Sequence, residues 1–182
     1  MSTIAQTRES LPTGTWKVDP VHSQVGFAVA YIGGTFRGSF SPVDVSLEVG
    51  ENGEATLRGA APVGGVHVQD ENLTTHLQAP DFLDVERTPE LTFESTEIRR
   101  SDEQVTITGD LTIKGTSEQV ELAGTIGGSI QDPYGNDRFP LTLRTTIDRT
   151  KFGLNWNNPL PSGEPSLAND VDLTAELYLV KA

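Results

Sequence analysis

Val105-Thr106-Ile107-Thr108-Gly109-Asp110-Leu111-Thr112-Ile113-Lys114 sets the architecture of this chain. Val105, Ile107, Leu111 and Ile113 share one parity with Gly109, and Thr106, Thr108, Asp110, Thr112 and Lys114 take the other. Side chains of a strand point alternately to its two faces, so the run predicts a strand with one face in a core and one in water. The rhythm recurs in both directions. In 23–31, Val25, Phe27, Val29 and Tyr31 oppose Gly26, Ala28 and Ala30. In 43–49, Val43, Val45, Leu47 and Val49 oppose Asp44, Ser46 and Glu48. Phe139, Leu141, Leu143 and Ile147 share a face in 139–147, as do Val171, Leu173, Ala175, Leu177 and Leu179 in 171–179. Shorter candidates are 15–18, 35–40, 54–60, 91–98 and 119–126.

One apolar and one polar face is the pattern of antiparallel strands with a single side in water. Turn residues separate the runs. Asn52-Gly53 predicts a type I′ hairpin, in which both central residues take positive φ, and 100–103 and 132–137 divide later runs. About eight or nine strands in one chain of this length predict an all-β fold, a closed barrel or a two-sheet sandwich. Charge does not alternate on the inward faces, which argues against an aqueous channel. Residues 70–86 break the rhythm: Leu73 and Leu77 stand at i, i+4, Asp70 is placed to cap a helix, and Asp81 to open a second, shorter one after Pro80. These short helices are expected to cover an opening or edge. The Pro- and Gly-bearing segment 157–170 reads as a long loop at a barrel mouth.

The chain has 182 residues, with 13 Lys and Arg against 26 Asp and Glu, for a net charge of −13. That length suits one domain, read here as residues 14–182 behind a polar tail, 1–13. The acid excess argues against nucleic-acid partners and anionic membrane faces. No run reaches the ~20 apolar residues that span a bilayer. Residues 1–14 show no basic segment followed by an apolar core, so a cytoplasmic location is expected.

Motifs for chemistry are sparse. Cysteine is absent, which removes disulfides and thiolates. The histidines are His22, His67 and His76, with no local chelating spacing, so no metal site is expected, and His22 and His76 are read as hydrogen-bonded structural residues. There is no G-x-S-x-G elbow, and the paired glycines 33–34, 64–65 and 127–128 match neither the dinucleotide nor the phosphate-loop pattern. No catalytic residue, metal ligand or cofactor is assigned. The inward faces supply a candidate ligand lining: Val25, Phe27, Val29 and Tyr31 from the first long run, Phe93, Leu111 and Ile113 from the middle of the chain. Leu141, Leu143, Leu173 and Leu177 extend it, with Phe152 and Trp156 as further bulky members. A barrel of this size either fills itself with side chains or holds one small ligand, and alternation alone leaves both open.

The stretch 14–27, GTWKVDPVHSQVGF, resembles the opening of the YceI-like proteins, lipocalin-like barrels that bind polyisoprenoids or other long lipids. His76-Leu77, then Pro80–Glu86 and Pro89–Ser95, resemble that family's central signature. Gly109–Gly115, Ile147–Leu154 and the strand from Val171 resemble its later motifs, so the likeness runs in order over about 14–180. Tyr31 stands where the family commonly has His, and Leu73-Thr74 precede His76 where Arg-Asp is usual. The resemblance implies an extended antiparallel barrel with an apolar tunnel, often a homodimer, with no established catalytic residues. The expected function is non-catalytic binding, transport or storage of a long-chain apolar lipid such as an isoprenoid, an isoprenoid quinone or a fatty-acid-like chain. Two other readings stay open: an enzyme on a lipid-like substrate with His22 or His76 as base, and a filled barrel that acts through protein contacts.

Overall fold

In the computed structural model, which describes residues 10–182, every long alternating run is a strand. The first group is β1 (Gly14–Val18), β2 (Gln24–Tyr31), β3 (Gly34–Phe40), β4 (Asp44–Val49), β5 (Ala55–Pro62) and β6 (Val66–His67). After a helix, α1 (Glu71–Gln78), come β7 (Glu90–Ser101), β8 (Gln104–Ile113) and β9 (Thr116–Ile126). The last are β10 (Ile130–Gln131), β11 (Asp137–Asp148) and β12 (Leu167–Lys181). No helix among the described residues is long and apolar enough to cross a membrane.

All the pairings are antiparallel. β11 pairs with both β9 and β12, which closes an eight-stranded ring β1-β4-β5-β7-β8-β9-β11-β12. β12 is long enough to serve two neighbours on one edge: Leu179–Lys181 pair with β1, and Leu167–Glu176 with β2. From β2 the wall continues through β3 to β6.

Local chemistry explains most of the turns and corrects two expectations. The type I′ conformation falls at Lys114-Gly115 (φ 52° and 77°) and Ile32-Gly33 (φ 42° and 74°), not at Asn52-Gly53, where Gly53 alone is left-handed. There the loop is one residue longer, closed by Gly53 N to Gly50 O (3.0 Å) and Gly50 N to Glu54 O (2.8 Å). That is the three-residue hairpin with a left-handed last residue. α1 forms as expected, with Asp70 Oδ1 accepting from the Asn72 and Leu73 amides at 2.8 and 3.2 Å. The second helix is replaced by a run of turns: the Phe82 and Asp84 amides both donate to the Ala79 carbonyl, and Asp84 takes φ 53°. Of the expected tail, residues 1–9 lie outside the described residues. Residues 10–13 hold on to the body, because Leu11 is buried in the core and the Pro12 carbonyl accepts from Trp16 Nε1 at 2.9 Å.

The apolar side chains form two clusters along the barrel. One fills an end around Trp16, Leu47, Ile107, Phe139 and Leu179, with the Trp16 and Phe139 rings edge to face at 4.7 Å. The other gathers Val29, Phe40, Val66, Ile113, Ile147, Phe152 and Leu154 towards α1. Glycine on an inward face does not leave a gap. A Cβ on Gly109 would overlap the Glu94 carbonyl oxygen and the Phe93 ring, because β7 bulges between Ser95 and Glu97 and presses on β8. Phe27 covers Gly38 across the β2–β3 ladder in the same manner. Gly109→Ala should therefore lower the unfolding free energy by about 1–3 kcal/mol in urea titrations, as overpacking does. Gly128→Ala, where an added Cβ meets nothing within 4 Å, should change it by less than about 0.5 kcal/mol.

Candidate functional site

Between the filled end and α1 the barrel is hollow. A cavity of about 390 Å³ ends on Leu57, Leu143 and Leu177, which also belong to the packed cluster. β2 contributes Val25, Phe27, Val29 and Tyr31, and β3 adds Phe36 and Phe40, because period-two alternation turns these positions inward. Phe93, Leu111, Ile113, Leu173 and Trp156 line it as well. Phe27, Phe93, Leu111 and Leu173 point inward yet are only half-buried, since their inner surfaces face open space.

Two of the expected lining residues are elsewhere. Leu141 faces inward but sits two positions nearer the filled end than Leu143, beneath the cavity floor. Phe152 lies on the short 3₁₀ turn Arg149–Phe152, where strand alternation no longer applies, and is packed 2% exposed in the neighbouring cluster. Among residues that alternation could have supplied, Phe36 and Phe40 follow directly from the 35–40 run. Leu77, Phe82 and Arg149 carry no strand signal and reach the cavity through tertiary packing.

Among the described residues, Arg149 is the charged residue of this lining. β11 ends at Asp148, whose carboxylate accepts from the Thr150 amide (2.9 Å) and hydroxyl (2.6 Å), and Gly153 at φ 79° ends the turn. That turn drives Arg149 into the interior, 3% exposed. Its guanidinium donates to four backbone carbonyls, of Leu154, Trp156, Leu167 and Ala168, and so ties both ends of the loop between that 3₁₀ turn and β12 to one side chain. Burial pushes its pKa below the ordinary arginine value, opposed by the neighbouring Asp148 charge; it stays protonated, as arginine does in proteins. Asn157 completes the tie: its Oδ1 accepts from the Ser166 and Leu167 amides (3.0 and 3.2 Å), and its Nδ2 donates to the Leu167 carbonyl at 2.8 Å.

His76 projects from α1 into the cavity wall, with its ring edge-on to Phe82 (4.9 Å) and Trp156 (5.1 Å). The expected hydrogen bonding is not there. Among the described residues its ring nitrogens have no hydrogen-bond partner, because both flanking groups are aromatic. His22 lies outside the cavity on the β1–β2 loop, with Nδ1 2.7 Å from Asp19 Oδ2. That bond leads the causes that hold the Asp19 carboxyl below the usual carboxylate range. His67 is exposed on β6. Among the described residues, no Asp or Glu lines the cavity.

Fold and site together define a closed antiparallel β-barrel, packed at one end and hollow at the other, with an almost wholly apolar internal cavity. The chain belongs to the YceI-like family, whose model matches residues 16–179. A UPF0312 protein of Staphylococcus epidermidis is 28% identical over 161 residues, which cover 86% of this chain and 92% of that protein. Burkholderia cenocepacia BcnA has the same fold, with a TM-score of 0.74 and 20% identity over 88% of this chain and 98% of BcnA. A polyisoprenoid binding domain from Saccharophagus degradans, implicated in plant cell wall breakdown, superposes with a TM-score of 0.67 at 9% identity, covering 92% and 98% of the two chains.

The carbonyl set around Arg149 gives a stability test. Lysine has three donors on one atom and cannot span the four acceptors that the planar guanidinium reaches. Arg149→Lys should cost about 2–3 kcal/mol, the scale of charge-assisted bonds lost and acceptors left buried, in chemical denaturation. A variant as stable as wild type would show that the tie contributes nothing.

Proposed function

We propose that this chain is a non-catalytic carrier or store for a long-chain apolar lipid, of isoprenoid, isoprenoid-quinone or fatty-acid-like type, held in the barrel cavity. The observation that carries this reading is the lining itself. It is built of aliphatic and aromatic side chains from ten strands and α1, with Arg149 and His76 as its basic members and, among the described residues, no carboxylate. Each methylene moved from water into such a site contributes roughly 0.8 kcal/mol, less the cost of ordering a flexible chain. Membership of the YceI-like family and the fold shared with a polyisoprenoid binding domain support the same class of ligand.

A carrier needs no acid–base pair, and among the described residues the cavity offers His76 without a facing carboxylate. A base needs hydrogen-bond reach to the proton it takes and a group that orients it; His22, which has such a partner in Asp19, does not line the cavity. The open nitrogens of His76 suit a different task, a hydrogen bond to the polar end of a lipid whose tail runs towards Leu143 and Leu177.

Organic extraction of the purified protein followed by mass spectrometry should yield a long-chain lipid in stoichiometric amount. An empty protein that takes up no added prenol, quinone or fatty acid would overturn the carrier, and turnover of an added lipid would replace it with an enzyme. Val29, 7% exposed on β2, lines the same space. Val29→Trp should shift the bound population towards shorter tails, with folding checked by circular dichroism. His76→Leu should keep hydrocarbon uptake while weakening binding of hydroxyl- or carboxyl-headed lipids about fivefold or more, the value of a hydrogen bond.

A further inference from the structure

Tyr31 and Leu73 both line the cavity and are both open to solvent, 43% and 44% exposed, so they mark where the cavity opens. Ile32, 57% exposed, follows Tyr31 at the tip of the β2–β3 hairpin. Its backbone is pinned, with the amide donating to the Ser166 carbonyl at 3.0 Å. Its φ is +42°, in the first position of a type I′ turn, where glycine or asparagine fits without strain and a β-branched residue does not. A large apolar side chain is thus held in water on a strained backbone at the rim of an apolar cavity, the kind of outlier that points to use. The charge around it is also unusual. Residues 24–43 contain no Asp or Glu, and Arg37 is their one charged residue, in a chain with 26 acids. Across the rim, Asp70 and Glu71 stand at the start of α1 beside Leu73.

We infer that the rim of Tyr31, Ile32 and Leu73 docks on the surface of a lipid bilayer, so that a lipid passes between bilayer and cavity without crossing water. This rests on the reading of the cavity as a lipid site. Continuity of the rim with that cavity, and a hairpin free of acids, select a lipid surface over a charged partner. Three side chains are too few for stable anchoring, and a net charge of −13 opposes anionic headgroups, so the contact is brief and favours zwitterionic lipid.

The test uses phosphatidylcholine vesicles holding a fluorescent long-chain fatty acid, mixed with the whole protein. Transfer by docking should speed up in proportion to protein concentration, and adding phosphatidylglycerol should slow it. Ile32→Asn removes the apolar tip and relieves the backbone. It should slow transfer about tenfold, the scale of one isoleucine no longer buried, while melting temperature holds or rises and binding of the same probe delivered from ethanol is unchanged. A transfer rate independent of protein concentration, or unaltered by Ile32→Asn, would overturn docking while leaving the carrier intact. Loss of a dimer in Ile32→Asn would overturn it too, by making the rim a self-contact. Failure to bind the probe from ethanol would remove the carrier reading and the docking together.

Discussion

The structure depends on one ladder. β11 and β12 pair residue for residue from Arg138 with Val180 to Asp148 with Asp170, joining the two sides of the sheet. Without that closure β11 and β12 would have free edges, and the sheet would have nothing to enclose. Everything inside follows from the direction in which alternate side chains then point. Phe139, Leu141, Leu143, Thr145 and Ile147 face inward from β11, and Leu173, Ala175, Leu177 and Leu179 from β12.

Along these two strands the interior changes character. Phe139 and Leu179 meet Trp16 and Leu47, large side chains that leave no room. A few residues further on, Thr145, Ala175 and Leu173 line the open cavity. The difference is one of wall geometry. At the filled end β12 is flanked by β1; farther along, β2 takes that edge and the wall widens through β3 and β6. A single barrel thus combines a stabilising core and a hollow site.

Much of this was readable from residue order because it rests on period two. The ten longer strands all lie on runs of alternating polarity, whereas β6 and β10, at two residues each, are too short to carry a period. The Asn-Gly signal at 52–53 marked a hairpin but misjudged its turn, since loop length sets the turn type and a third residue had joined the loop. At Ile32 the opposite happened: a type I′ turn formed on a residue that no local rule would choose. Most of the candidate lining faces the cavity for the same reason the strands were visible. Arg149 was hidden because arginine in a sequence reads as surface, and only the cap at Asp148 and four distant carbonyls make an interior position tolerable. The free ring of His76 was equally out of reach, being decided by which aromatic groups the fold brings beside it.

Arg149 and Asn157 have a dynamic consequence. The segment from Leu154 to Leu167 is crossed by bonds at both ends before any guest arrives, so it behaves as a door frame rather than a door. Little backbone order remains to be gained when the cavity is occupied, and so little entropy is lost there on binding. Traffic through the opening then depends on rotations of Tyr31 and Leu73, which as exposed side chains turn over in picoseconds to nanoseconds. On that timescale the doorway is always ajar, and the residence time of a guest is set by how much of it lies against the wall.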